Sequence, residues 1–269
     1  MIYADLHMHS EFSEDSETPM EAQAERAAAL GLKQICFTEH MDKDYPENEA
    51  GERFECDTAA YYEHYLRVRD EFKDRLEILF GIEYGFQAHL VKHCHDYINS
   101  FPFDMVIGST HLVRGQDVYY REFFEGRKES GAYLEYFETE LESVKLFDDF
   151  DIYGHLDYVV RYGPDRDKYY SYRAYAEILD EILKEIVRKG KGIEINTGGL
   201  RKGLKSTNPS LEVIKRYKEL GGEIITSGAD AHVPGSVASD FDTASRILEA
   251  AGFKYYTVFR NRKPEFYPL

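Results

Sequence analysis

The sequence predicts an α/β barrel, a single domain spanning residues 1–269 in which parallel strands alternate with helices and close on themselves. Three observations predict it. Short apolar runs alternate with amphipathic stretches along the whole chain, with no repeat or low-complexity linker between them. A length of 269 residues, 43% hydrophobic and 31% charged, suits one large core. No Gly-rich phosphate loop follows an early strand, as an open doubly wound sheet would want.

Taken in order, the expected strands are residues 2–6, 34–38, 78–83, 105–109, 152–154, 192–196, 223–227 and 255–259, which makes seven or eight. Between them, Thr18-Pro19 opens a helical stretch that ends at Gly31, and Asn208-Pro209 opens one that ends at Gly221. Each shows a cap residue, Pro at the first helical position and Gly just past the end. Residues 58–74, 132–147, 172–189 and 242–250 have helical periodicity with less definite ends.

Composition narrows the partners. With 50 acidic and 33 basic residues the formal charge is −17, which repels a nucleic-acid backbone. A small phosphate is still compatible, because metal ions and a few Arg can reverse the potential locally. The opening MIYADLHMHS has no basic segment followed by an apolar one, and no apolar run is long enough to span a membrane, so the expectation is a cytoplasmic protein without membrane contact. Cys36, Cys56 and Cys94 are odd in number and lack CxxC spacing, which points to reduced, structural thiols.

Position carries the functional information. Nearly every candidate metal ligand lies at or just past the C-terminal end of an expected strand, where barrel enzymes place their chemistry. Strand one ends in Asp5-Leu6-His7-Met8-His9, and the period of two along a strand sends His7 and His9 to the same face. Strand two ends in Glu39-His40, strand three in Glu83, strand four in Thr110-His111, strand five in Gly154-His155 and strand seven in Asp230-Ala231-His232. Any one such His reads as a hydrogen-bonded core or surface residue; their convergence on one rim reads as a site for more than one ion. His, Asp and Glu without Cys suit Zn, Fe or Mn and argue against a structural thiolate zinc site. His89, His93 and His95 have partial zinc-helix spacing, but no Glu follows His89 as in HExxH, so they read as a solvated helix face, as does His64.

DLHMHS at the start, TEH after strand two, GIE after strand three, STH after strand four, GHLD after strand five and GADAH near the end occur in this order along nearly the whole chain. In this the sequence resembles the polymerase and histidinol phosphatase superfamily, whose fold is a distorted (β/α)7 barrel. GHLDYVVRYG and NTGGLRKG look most like the histidinol-phosphate phosphatases of histidine biosynthesis. The resemblance implies three divalent transition-metal ions, Zn, Mn or Fe. His7, His9, Glu83 and Asp230 would hold the first, Glu83 as a bridge with His111 and His155 the second, and Asp15, His40 and His232 the third. Asp15 departs from the pattern, since many members carry His there; an aspartate shifts preference towards harder ions.

Two ions sharing a carboxylate lower the pKa of a bridging water and present hydroxide in line with a phosphorus atom. The expected reaction is therefore hydrolysis of a small phosphate monoester, L-histidinol phosphate before others, with Glu83, Asp230 and His232 as the catalytic set. Arg161, six residues past His155, and Arg201, five past Asn196, would clamp the phosphate together with Asn196. The competing readings are a related phosphoesterase for phosphotyrosine, a nucleotide or another small monoester, and a metal-binding module without turnover.

Overall fold

The computed structural model describes residues 1–46 and 51–269. Seven parallel strands pair in sequence order: β1 (Ala4–Met8), β2 (Gln34–Met41), β3 (Glu77–Gly85), β4 (Met105–Ser109), β5 (Ile152–Tyr153), β6 (Gly192–Asn196) and β7 (Ile225–Gly228). β7 returns to β1 through a parallel bridge between Met8 and Ala231, backed by His9 N donating to Ala231 O at 2.9 Å and Asp230 N to His7 O at 2.8 Å. The register slips between Asp5 and Met8 of β1, so the barrel closes but is distorted there. All eight residues of β2 are buried, as expected of a strand with helices on one side and a filled barrel on the other.

The outer layer consists of α1 (Met20–Ala29), α2 (Thr58–Phe72), α3 (Val91–Ile98), α4 (Glu129–Leu146), α5 (Ala176–Arg188), the single turn α6 (Gly198–Arg201), α7 (Leu211–Glu219) and α8 (Phe241–Ala250). α5 shows why these form: Leu179, Ile182, Leu183 and Ile186 recur at three- and four-residue intervals and are the positions buried against the barrel.

Three expectations are adjusted. Residues 255–259 do form a strand, but outside the barrel: β8 (Tyr255–Arg260) and β9 (Lys263–Pro268) make an antiparallel hairpin. Its two turn residues, Asn261 and Arg262, have φ of 49° and 63°, the left-handed geometry that suits two-residue hairpins. The hairpin covers the N-terminal end of the barrel, where Arg260 reaches Glu77 at 2.5–2.6 Å, Asn261 N reaches Asp104 Oδ1 at 2.9 Å and Arg262 pairs with Asp151. The opposite, C-terminal end is left for chemistry. Secondly, α1 begins at Met20 after an N-cap Pro19, and Thr18 Oγ1 donates instead to His232 O at 2.8 Å. Thirdly, α7 begins at Leu211 rather than at Pro209, because the side chain of Asn208 is engaged elsewhere.

Candidate active site

Glu83, near the end of β3, is fully buried and sits among five histidines. Its Oε2 lies 3.1 Å from His7 Nε2, 3.6 Å from His9 Nε2 and 3.2 Å from His40 Nδ1; its Oε1 lies 2.8 Å from His155 Nε2 and 3.3 Å from His111 Nε2. Each carboxylate oxygen thus faces its own set of imidazoles. Asp230 Oδ1 lies 3.9 Å from His7 Nε2 and 3.7 Å from His9 Nε2, on the Oε2 side. Further out, Asp15 Oδ2 lies 3.0 Å from His232 Nε2 and 3.6 Å from His40 Nε2. All nine residues expected from the sequence as ligands therefore meet on one rim. His155 and Asp230 do so with φ of 20° and 55°, backbone strain concentrated at the site.

The rings are oriented by groups behind them. His7 Nδ1 donates to Glu194 Oε1 at 2.7 Å, His9 Nδ1 to Ser13 Oγ at 3.0 Å, His111 Nδ1 to Asp42 Oδ1 at 2.8 Å and His232 Nδ1 to Asp230 O at 3.1 Å. An acceptor at Nδ1 holds the proton there and leaves the Nε2 lone pair pointing into the cluster, the arrangement that metal-bound histidines use. Ser13 is itself fixed by Glu39, whose carboxylate also takes Ser10 N and Ser10 Oγ. Gly228 keeps this packing possible: a Cβ there would lie 2.1 Å from Glu194 Oε1 and 2.4 Å from the Cβ of His7.

The charge balance also fits cations. His9 Nε2 and His40 Nδ1 are buried and without a hydrogen-bond partner. Burial pulls His40 down, but Asp15 and Glu83 outweigh it and raise its pKa to about 9; the same contest, with Glu194 and Glu83 at His7 and Asp42 and Glu83 at His111, leaves both well above an ordinary imidazole. Burial opposes ionisation of Glu83, yet His7, His111 and His40 hold its pKa well below the usual value. The carboxylates demand positive charge, and divalent ions would supply it in place of those protons. The residues present fit metal ions.

A cavity of about 420 Å³ opens at the cluster, and Glu83, His111, His155, Asp230, Arg161, Arg201 and Lys202 are among the residues that line it. Arg161 is buried. Its side chain is 3% exposed, and its Nε, Nη1 and Nη2 donate to Asn208 Oδ1 at 2.8 Å, Asp230 Oδ2 at 2.7 Å and Asn196 Oδ1 at 2.7 Å. Burial alone would lower its pKa, and Asp230 reverses that. Arg201 is exposed and is held by Asp230 O at 2.9 Å and Ser239 Oγ at 2.8 Å. Asn196 turns its amide oxygen to Arg161 and its Nδ2 to Glu194 Oε2 at 3.0 Å.

Of the remaining histidines, His89 and His95 are exposed and pair with Asp44 and Asp149, while His93 bonds Tyr84 OH at 2.7 Å. His64 is half-buried rather than solvated, with Nε2 on Glu21 Oε1 at 2.8 Å and Nδ1 on Arg67 at 2.9 Å. Sequence reasoning missed Asp42, Glu39, Glu194, Asp157 and Asn208. Asp42 and Glu194 had a signal: each is two residues from a site residue on its own strand or strand end, His40 and Asn196, and so faces the same way.

The model of the PHP domain matches residues 5–198. The chain belongs to this family. The match ends before Asp230 and His232, which the fold of this PHP-domain chain nonetheless brings into the cluster. The chain is 36% identical over 260 residues to the histidinol-phosphatase of Lactococcus lactis, covering 96% of this chain and 95% of that one. It is 32% identical over 250 residues to a probable histidinol-phosphatase of Clostridium acetobutylicum, covering 93% and 94%. In structure it is similar to the histidinol phosphate phosphatase of Lactococcus lactis complexed with Zn, L-histidinol and phosphate, with a TM-score of 0.89, 33% identity and 98% of both chains covered.

Proposed function

We propose that this PHP-domain chain is a metal-dependent phosphoric monoester hydrolase that converts L-histidinol phosphate to L-histidinol and phosphate. The observation that carries this reading is Glu83, a buried carboxylate with histidines on both oxygens, in a chain 36% identical to a histidinol-phosphatase over nearly its full length. The likeness to a histidinol phosphate phosphatase complexed with Zn, L-histidinol and phosphate supports the substrate. A cytoplasmic setting agrees with three free, buried cysteines, and no helix among the described residues is long and apolar enough to cross a membrane.

Three ions would be held, one by His7, His9, Glu83 and Asp230, one by Glu83, His111 and His155, and one by Asp15, His40 and His232. Bound ions supply Lewis acidity and a nucleophile at neutral pH. The chain's own residues do the rest. Glu83 joins two ligand sets through one carboxylate, Asp230 links the cluster to Arg161, and His232 bears on Asp15 at the mouth. Arg161 uses three of its five N–H groups on the protein, which leaves two for phosphate oxygens, and Asn196 and Asn208 set the plane in which they point. Arg201 closes over the phosphate from the α6 turn.

The test is kcat/KM for L-histidinol phosphate against a panel of monoesters, with elemental analysis of the same preparation. Preference for L-histidinol phosphate with up to three ions per chain is expected. Full activity at less than one ion per chain, or a larger kcat/KM for a phosphotyrosine or nucleotide ester, overturns the reading.

A further inference from the structure

Arg161 can hold phosphate only while its guanidinium keeps one plane, and one of the groups that fix this plane is Asn208, whose Oδ1 accepts from Arg161 Nε at 2.8 Å. The backbone of Asn208 is tied to the end of β6 in both directions: Asn208 N donates to Asn196 O at 2.9 Å, and Asn196 N to Asn208 O at 2.8 Å. The side chain is not fixed by that pairing. A carboxamide has nearly the same shape after a half-turn, so which end faces Arg161 depends on what the other end meets.

The other end meets Asp157. Asn208 Nδ2 donates to the buried Asp157 Oδ1 and, at 3.2 Å, to Asp157 O, while Asp157 Oδ2 accepts from Ser210 N at 3.3 Å. With both oxygens facing N–H donors, the Asp157 side chain offers Asn208 an acceptor and no donor, which turns the amide oxygen towards Arg161. Asp157 caps the single turn of helix, Tyr158–Arg161, that ends in Arg161, so the two side chains grip Asn208 from the two ends of one turn. The second arm of the clamp rests on the same atom. A Cβ on Gly199, in the α6 turn that carries Arg201, would lie 2.3 Å from Asn208 Oδ1, and glycine there lets the turn settle against the amide.

We propose that Asp157 is a positioning residue for phosphate recognition, acting through Asn208: it orients that amide so that Arg161 and the α6 turn keep their places around the phosphate. This rests on the phosphatase reading and adds to it a residue that touches neither phosphate nor ions. The competing account makes Asp157 a tie that only fastens residues 208–210 to the turn after β5. Coupling separates the two. If Asp157 works through the amide, replacing it costs phosphate binding nothing further once Asn208 has lost that amide; a tie that acts independently of the amide costs the same in either background.

The experiment compares metal-loaded wild type, Asp157→Asn, Asn208→Ala and the double variant, reading kcat and KM for phenyl phosphate and the inhibition constant of inorganic phosphate. An asparagine at 157 must turn its NH2 either to Asn208, which flips the amide, or to Ser210 N, which loses that bond, so one orientation is no longer enforced. Phosphate inhibition should weaken roughly three- to tenfold in Asp157→Asn, with KM rising more than kcat falls, and adding Asp157→Asn to Asn208→Ala should weaken it no further. Asp157→Ser, whose hydroxyl can donate as well as accept, carries the same expectation and serves if the first variant loses its fold. A readout without turnover is the Arg161 Nε–H resonance of 15N-arginine-labelled protein, assigned by its absence in Arg161→Lys; it should shift and exchange faster with solvent in Asp157→Asn. If wild type is a phosphatase and both the resonance and the phosphate inhibition constant stay put in the Asp157 variant, the positioning role is wrong and the phosphatase reading stands. If wild type hydrolyses no monoester while the resonance still moves, the role stands and the phosphatase reading is wrong. Equal losses in both backgrounds overturn the role.

Discussion

Replacing Arg161 by Lys separates recognition from stability in a way the structure makes quantitative. The guanidinium is buried and serves three acceptors, Asn208 Oδ1, Asp230 Oδ2 and Asn196 Oδ1, at 2.7–2.8 Å. An ammonium on a flexible stem cannot reproduce that planar fork. Placed on Asp230, it leaves Asn208 Oδ1 without its donor, whereas Asn196 Oδ1 keeps the backbone N–H of Gly198 at 2.8 Å, and an orphaned buried acceptor costs about 1–3 kcal/mol. A stability loss on the order of 1–3 kcal/mol follows, or roughly 2–12 °C in melting temperature for a chain of this size. Independently, losing the bidentate contact to phosphate should cost about 1.5–3 kcal/mol, or on the order of ten- to a hundredfold in kcat/KM. The control is Arg201→Lys: Arg201 is exposed with two contacts, so its melting temperature should move by about 1 °C or less while phosphate inhibition weakens. Thermal melts, kcat/KM and the inhibition constant for inorganic phosphate, measured on both variants, decide. An Arg161→Lys protein that melts with wild type refutes the accounting of acceptors. One that melts early but binds phosphate normally refutes the clamp.

Three other outcomes are expected. Glu83→Ala should lower kcat and ion content more than His40→Ala, because Glu83 faces five histidines whereas His40 borders one edge of the cluster; two ions and wild-type kcat in the Glu83 variant would remove its bridging role. Glu194→Gln should weaken metal affinity roughly ten- to a hundredfold, read by titration against a chelator, since Glu194 holds the His7 ring and also accepts from His155 N at 3.0 Å; an unchanged affinity would make Glu194 mere packing. Glu140, fully buried in α4 near Tyr136 and Asp157, has its pKa raised well above 4.5 by burial, so the native state keeps a proton that the unfolded chain releases. That makes stability fall as pH rises above about 4.5, and Glu140→Gln should remove the slope and stabilise the protein at neutral pH; parallel melting curves for the two proteins from acid to neutral pH would refute this.

Much of the site was legible because barrel strands deliver their last residues to one rim. Six strand ends, each with His, Asp or Glu, could be found without knowing how the strands pack. The orienting groups were harder. Glu194 lies in a run, GIEIN, that reads as apolar core, and only alternation of Ile193 and Ile195 outward with Glu194 and Asn196 inward reveals it. The hairpin partner Lys263–Pro268 was hidden by its charged, Pro-containing composition and by a turn whose second residue is Arg rather than the expected Gly.

The two helix starts that looked plainest from sequence are where local and tertiary demands collide. Thr18 and Asn208 have the chemistry of caps, a short side chain whose oxygen can accept a backbone N–H. In the folded chain Thr18 Oγ1 donates to His232 O, and Asn208 donates through Nδ2 to Asp157 while its Oδ1 accepts from Arg161. An oxygen that receives a guanidinium in a buried site gains a charge-assisted bond, about twice as strong as the neutral bond of a cap. The cap is therefore surrendered, and α7 begins three residues later at Leu211. Asn208→Asp tests this ordering, because it puts an oxygen where Nδ2 now meets the Asp157 carboxylate. Repulsion between the two acids should turn the side chain away and release Arg161, lowering kcat/KM along with stability. Activity retained in full would mean that Arg161 keeps its plane without Asn208, and the lost cap would then have no explanation in the site.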